Sequence, residues 1–530
     1  RSGPTLVASP PPLLLYAVLR PLLPALLSSA LAGGFPYVLS QASRVKAALT
    51  TDPLAWSDIS SPANLSVVSH YVTLRHLVLG VVAIALLVLL ARVGTGRLRG
   101  RRQLLMALSA VLVLLPVTLH PYFEKDITGS PGEASAFHRK AGLRYISWDW
   151  PLNVRTNSLP IHIVQSSRPT MPRKASAHEA RGFEELKAAS PKATGDRPSN
   201  IILVLCEACW HDRNNFSESF EKLRSRGFRG LRSIAPTYGG GTVNGTFEVL
   251  TGLPAGGPLK GVINQEYAAM LSDTIPALPR GLREAGYSTF EAHNHSKGFW
   301  KRDVVSPKLG FQRFIGLEDM KYTGPIWADD SILFDAARRE IGRSGGRTFA
   351  YLTTVHTHGD YAFDNDLGQA DYQRRLDLTV LALSKFVDAV VRDHPDSLIV
   401  VFADHKPALT RYFVGRGVFS RDDFVALGET SQDFRFSDRM SPATRGDVPV
   451  YVYHPDPDRV SAFVKAADGK PFYCLGMYVN REFIGVNVPV HEFSARNRIC
   501  DGFEPARYKD AGAKYPDWLY SSTLFQPSLH

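Results

Sequence analysis

Asn200-Ile-Ile-Leu-Val-Leu-Cys206 is an almost unbroken apolar run, and a carboxylate, Glu207, follows it at once. A run this short, bounded by polar residues, reads as a strand buried on both faces, the kind found inside a parallel sheet. Leu398-Ile-Val-Val-Phe-Ala403 has the same form and hands over to Asp404 and His405. Further strands are expected at Ser288–Ala292, Phe349–Thr354 and Val450–Tyr453. Amphipathic helices are expected between them at Ile275–Ala285, Ser331–Ile341 and Asp371–Arg392. This alternation predicts an α/β domain over 199–530, with a mostly parallel sheet between helices. In such folds the chemistry sits at the carboxyl ends of the strands.

Three polar groups occupy such ends. Glu207 from one strand and the Asp404–His405 pair from another form a mixed oxygen and nitrogen set suited to a divalent cation. Read alone, Glu207 is equally a helix N-terminal residue. The third element is Pro236-Thr-Tyr-Gly-Gly-Gly-Thr242-Val-Asn-Gly-Thr246-Phe-Glu-Val-Leu-Thr-Gly-Leu-Pro254. Its glycines permit a tight turn and close approach of a ligand. Thr242 stands just before a helix that ends at Gly252, so free N–H groups there favour a phosphate. A Gly-rich turn capped by Thr242 or Asn244 is the structural alternative.

The first 120 residues differ in kind. Three apolar segments, about 13–31, 75–93 and 103–120, approach the ~20 residues needed to cross a bilayer. The first is the weakest, since it contains Arg20, Pro21 and Pro24. Arg92, Arg97, Arg99, Arg101 and Arg102 lie between the second and third, and positive loops stay in the cytoplasm. The sequence thus predicts a transmembrane domain over 1–122, a juxtamembrane connector over 123–198 with a short helix near Glu179–Ala189, and a catalytic domain outside the cytoplasm. That is a multi-pass protein of a bacterial inner membrane with its enzyme in the periplasm. The arginine loop accounts for part of the net charge of +11. No nucleic-acid module is present, so anionic lipid is the better partner for the rest. Cys474 and Cys500, 26 apart, suit a disulfide in a periplasmic setting, whereas Cys206 and Cys209 read as packed or incidental cysteines.

The order of these elements resembles the lipoteichoic-acid-synthase-like branch of the alkaline phosphatase and sulfatase superfamily. Gly239-Gly-Gly-Thr242 before Phe247-Glu-Val-Leu250 is similar to that branch's nucleophile loop. His293-Asn-His-Ser-Lys-Gly-Phe-Trp300-Lys-Arg302-Asp303 and Thr353-Thr-Val-His-Thr-His358-Gly-Asp-Tyr361 are similar to its head-group segments. The resemblance implies that Thr242 is the nucleophile. It also implies that Glu207, Thr242, Asp404 and His405 hold one metal ion, manganese in first place, with magnesium or zinc as alternatives. Trp300, Arg302 and His358 would bind the phosphoryl and head group, with His358 also moving protons. His293 and His295 would line the pocket, and His295 departs from the branch, which often has an acidic residue there. The implied reaction moves phosphoglycerol from phosphatidylglycerol to an envelope glycan, periplasmic glucan in first place, through a phosphothreonine. Phosphoethanolamine transfer is the nearest rival, and a catalytically inactive glycan- or lipid-binding membrane protein is a further one. A sulfatase proper would need Cys or Ser in a Cys/Ser-x-Pro-x-Arg setting, which no cysteine here has.

Overall fold

The computed structural model describes residues 15–16, 19, 25–50, 53–56, 150–166, 171–189, 196–259, 263–325, 327–359, 361, 368–426, 434–437 and 440–525. They fall into two compact units, one taking in the described residues up to 166 and the other those from 171 onward.

Ten strands are described in the second unit: β1 Asn200–Cys206, β2 Arg229–Ile234, β3 Ser288–His293, β4 Arg313–Ile315, β5 Thr348–Thr353, β6 Leu398–Ala403, β7 Phe424–Ala426, β8 Phe434–Phe436, β9 Asp447–Tyr453 and β10 Lys470–Pro471. Eight of them form one sheet in the order β10-β2-β9-β6-β1-β5-β3-β4, and β7 and β8 pair apart from it. The central strands β1, β5 and β6 are buried along their whole length, as continuous apolar runs require. All neighbours in the sheet pair parallel except β9, which runs antiparallel to both β6 and β2. The α/β domain with a mostly parallel sheet is therefore present.

In the first unit α1 covers Ala25–Thr50, α2 Trp150–Asn157 and α3 Leu159–Gln165. Helix α1 overlaps the expected 13–31 segment and runs well past it. Among the described residues no helix is long and apolar enough to cross a membrane. The expected segments 75–93 and 103–120 lie outside the described residues.

In the second unit α4 is Ala177–Lys187, capped by a reciprocal Ser176–Glu179 box; the sequence had assigned it to the connector. Next come α5 Thr242–Thr251, α6 Leu278–Glu284, α7 Arg302–Leu309, α8 Ser331–Ser344, α9 Gln369–Asp393 and α10 Phe472–Val479. Helix α5 packs against α10 at a point where a side chain on Gly476 would overlap the Val249 carbonyl, so only glycine fits. A disulfide joins Cys474 in α10 to Cys500.

Candidate active site

Register assembles the site. Cys206 on β1 stands beside Ala403 on β6, and Leu205 stands beside Thr353 on β5. His293 at the end of β3 is level with that same Thr353. The chain therefore leaves four parallel strands at one height, delivering Glu207, Asp404–His405, Thr354 and His293 to one edge. Strand β2 ends at the same edge, and its Gly-rich continuation brings Thr242. Gly239, Gly240 and Gly241 all have positive φ, a conformation that side chains resist, so the loop can fold back and start α5 at Thr242.

The Thr242 hydroxyl donates to Glu207 Oε2 at 2.9 Å. His405 Nε2 lies 3.3 Å from Glu207 Oε1 and 3.1 Å from Asp404 Oδ2. Glu207, Asp404 and His405 are buried and their ligand atoms lie within 4.8 Å of one another. Asp404 Oδ1 accepts from the Ala208 N–H at 2.7 Å, while Oδ2 has no hydrogen bond. His405 Nδ1 faces the Lys406 carbonyl at 2.9 Å. A carbonyl only accepts, so Nδ1 carries a proton and Nε2 is the atom turned to the carboxylates. That same carbonyl accepts from Gly239 N at 3.2 Å, tying the Gly-rich loop to the histidine. Lys406 itself is buried, its Nζ donating to the carbonyls of Thr444, Arg445 and Asp447.

Electrostatics bind these groups to one another. Burial works against a charged Glu207, but His405, His358 and the Thr242 hydroxyl outweigh it and hold the carboxyl well below its usual range. Burial and the neighbouring Glu207 charge push Asp404 up. Burial opposes a charged His405 too, yet Asp404 and Glu207 overcome it and pull the imidazole up. Two buried carboxylates thus gather a proton onto the corner, in the place a cation would fill. The converging Asp404 Oδ2 and His405 Nε2, with Glu207 and the Thr242 hydroxyl, fit a divalent cation.

Histidines and aromatic rings form the adjoining wall. His295 lies 5.9 Å from His293, 4.1 Å from Phe299 and 5.7 Å from Trp327, ring centre to ring centre. Trp327 stacks on His358 at 4.0 Å. His293 donates Nδ1–H to the Thr353 carbonyl, and His358 does so to Gly359, so in each ring Nε2 is the nitrogen left for another partner. His295 is the opposite tautomer. Its Nδ1 accepts from the Ser296 N–H at 2.8 Å, leaving Nε2–H as a buried donor without a partner. Burial holds His295 down to about 4, so it stays neutral near pH 7. His356 is half-buried, and neither ring nitrogen has a hydrogen bond.

Two expected head-group residues sit deeper than a pocket surface. Trp300 is buried and, with Lys301, adopts a left-handed backbone that non-glycine residues enter at a cost. Arg302 is buried at the start of α7 and donates Nη1 to Glu291 Oε1 at 2.9 Å; Nε and Nη2 have no partner.

Sequence reasoning missed Trp327, Asp330 and the Cys206–Cys209 pair. Asp330 accepts from Asn294 Nδ2, Val355 N, His356 N and the Thr379 hydroxyl at 2.6–3.2 Å, so one carboxylate fastens both histidine loops to α9. Its only sequence signal is that of a residue before a helix. Cys206 and Cys209 are joined as a disulfide, which corrects the reading of them as packed or incidental; Ala208 turns left-handed between them and brings their Cα atoms to 5.3 Å.

Residues 199–434 match the family model described as Sulfatase. A protein of Rhizobium meliloti (strain 1021), named as a candidate cyclic beta-1,2-glucan modification protein, is 27% identical over 211 residues, 36% of this chain and 33% of that one. The chain thus spans about a third of that relative's length. Among solved structures, the phosphoglycerol transferase GacH of Streptococcus pyogenes, in complex with sn-glycerol-1-phosphate, is similar at 13% identity and TM-score 0.44, over 67% of this chain and 96% of that one. The lipoteichoic acid synthase LtaP of Listeria monocytogenes is similar at 16% and 0.40, over 59% and 81%. The lipooligosaccharide phosphoethanolamine transferase A of Neisseria meningitidis, an integral membrane protein, is similar at 13% and 0.37, over 84% and 82%. These structural likenesses are distant. The family match runs from the strand before Glu207 through Thr242 to beyond Asp404 and His405, so the segment that carries the candidate site is the one similar to the Sulfatase family.

Proposed function

We propose that the chain is a membrane-anchored, metal-dependent transferase that moves phosphoglycerol from phosphatidylglycerol to an envelope glycan, a periplasmic glucan in first place. The observation that carries the reading is the Thr242 hydroxyl, buried and donating to Glu207 inside the Glu207–Asp404–His405 cluster. A divalent cation held by these residues, manganese ahead of magnesium or zinc, would lower the hydroxyl's pKa and screen the approaching phosphate.

The chain's own groups then have definite tasks. Thr242 Oγ1 attacks phosphorus and the bond to the diacylglycerol oxygen breaks, leaving phosphoglycerol on the threonine. Thr242 enters the cycle deprotonated and His358 enters protonated at Nε2; His358 gives that proton to the leaving oxygen and takes one back from the acceptor hydroxyl, so both end as they began. That hydroxyl then attacks the phosphothreonine and frees Thr242. The N–H groups at the start of α5 face the phosphoryl oxygens, and Arg302 supplies positive charge from below.

The wall favours glycerol over ethanolamine. An ammonium head group calls for a carboxylate, yet the described wall residues His293, His295, Phe299, Trp327 and His358 include none. Of the acids beneath, Glu291 is paired with Arg302 and Asp330 is saturated by four donors. Neutral His295 offers an N–H, which suits a hydroxyl. The test is peptide mass spectrometry after incubation with phosphatidylglycerol and manganese. A phosphoglycerol adduct on the peptide carrying Thr242 is the expected product, and an adduct on any other residue would refute the assignment.

A further inference from the structure

Glu207 is the one residue of the metal corner with a disulfide closed around it. It occupies the first of two positions between Cys206 and Cys209, and both sulfurs are buried. The second position, Ala208, has φ +50°, a left-handed conformation that alanine enters at a cost of about 1 kcal/mol. The chain thus reverses sharply straight after β1, and the carboxylate of Glu207 is aimed by that reversal. Hydrogen bonds hold the reversal from three sides. Glu207 N donates to Thr354 Oγ1 at 2.8 Å, the Thr357 hydroxyl donates to the Glu207 carbonyl, and Ala208 N donates to Asp404 Oδ1 at 2.7 Å. The Tyr372 hydroxyl donates to the Ala208 carbonyl at 2.7 Å and receives Trp210 N at 2.9 Å. Two of these partners are themselves in or beside the site, so the turn and the metal corner are one structure.

We propose that the Cys206–Cys209 disulfide is a positioning element for metal binding: it locks the Ala208 reversal and so presents Glu207 to the cation. Loop length separates this task from ordinary stabilisation. A disulfide constrains the unfolded chain more as the loop it closes grows. Cys206–Cys209 closes a separation of 3 residues, and Cys474–Cys500 closes one of 26. The short bridge therefore adds the less to global stability and acts chiefly on local geometry, while the long one does the reverse. The inference rests on Glu207 being a metal ligand but not on which group the enzyme transfers.

The experiment is calorimetric titration of Mn²⁺ into the full chain, purified in detergent without reductant and without substrate, alongside thermal melts of the metal-free protein. Cys206→Ala/Cys209→Ala should weaken Mn²⁺ binding about 10–100-fold, the range seen when groups that orient metal ligands are removed. Cys474→Ala/Cys500→Ala should leave Mn²⁺ affinity within about twofold and lower the melting temperature more. Ala208→Gly, added to the first pair, should recover most of the lost affinity, because glycine adopts the reversal without a lock. If the double alanine does not fold, Cys474→Ala/Cys500→Ala protein treated with dithiothreitol, which is then removed under exclusion of air, reads the same quantity; the remaining bridge becomes two thiols as the dithiol closes to its own disulfide. Unchanged affinity without the bridge, free thiols at Cys206 and Cys209 in the unreduced protein, or a loss that Ala208→Gly does not relieve would each overturn the proposal. Full affinity in Glu207→Gln would remove the ligand assignment, and with it this inference, while leaving the transferred group untested by the same data.

Discussion

The metal corner and the histidine wall share an edge of one sheet but are built on different terms. In the corner, Glu207, Asp404 and His405 follow directly on fully buried strands whose register sets them side by side. In the wall, His295, Trp327 and His358 ride on loops and Phe299 on a single 3-10 turn, and His295 and His356, like Asp404 and His405 in the corner, hold side-chain atoms with no hydrogen-bond partner. A corner set on buried strands suits the proposed activation of the Thr242 hydroxyl. A wall with unsatisfied donors and bases suits the part that differs, the head group and the acceptor. The contrast teaches where substitutions should abolish reaction and where they should redirect it.

Breaking the corner should have the largest effect. Thr242→Ala is expected to reduce head-group transfer by roughly 10⁴-fold or more, as loss of a nucleophile does in enzymes that form covalent intermediates. Chelation should have an equivalent effect, reversed by adding manganese back. Assays of single-turnover adduct formation check both. On the wall side of the boundary, His358→Ala is expected to cost about 10²–10⁴-fold in kcat, the usual worth of a general acid–base group. Its Mn²⁺ affinity should stay near wild type, and a fall in that affinity would make His358 part of the corner. Within the wall, His295→Asp is expected to alter donor choice more than rate. It should shift competition between phosphatidylglycerol and phosphatidylethanolamine by about tenfold toward the ammonium lipid, a change of ~1.4 kcal/mol.

The smallest expected effect lies behind the corner on α5. Glu248 is buried with one oxygen unpartnered, and burial pushes its carboxyl up to about 8. A carboxyl raised on folding favours the native state while protonated. Its stability contribution is complete below the ordinary carboxylate range and is lost as pH rises toward about 8. Glu248→Gln should therefore raise the melting temperature at pH 8.5 by roughly 2–4 °C and change it little at pH 4.5, read by thermal melts.

Much of the corner was legible in the sequence because strand ends are local. Asn200–Cys206 and Leu398–Ala403 announce themselves as apolar runs, and the next residue is in each case a proposed ligand. The five expected strands all appear, each within a few residues of its expected bounds. Strand β2 was not legible, since Arg229-Gly-Leu-Arg-Ser-Ile234 has two arginines, a glycine and a serine among six residues. It sits in the sheet through its backbone pairing with the neighbouring β9, where Arg232 also meets Asp447 at 2.5 Å. Trp327 and Asp330 were illegible for the same reason, as each acts across the fold on residues far away in the chain. The Cys206–Cys209 bridge depends on a left-handed alanine, and no residue type at position 208 signals that.

Diacylglycerol release from fluorescent lipid, with manganese or chelator and Thr242→Ala beside wild type, decides the account. Metal-dependent release from phosphatidylglycerol alone, absent in Thr242→Ala, is the predicted result. Release from phosphatidylethanolamine alone would contradict the reading of the wall, and release that survives Thr242→Ala would contradict the reading of the corner.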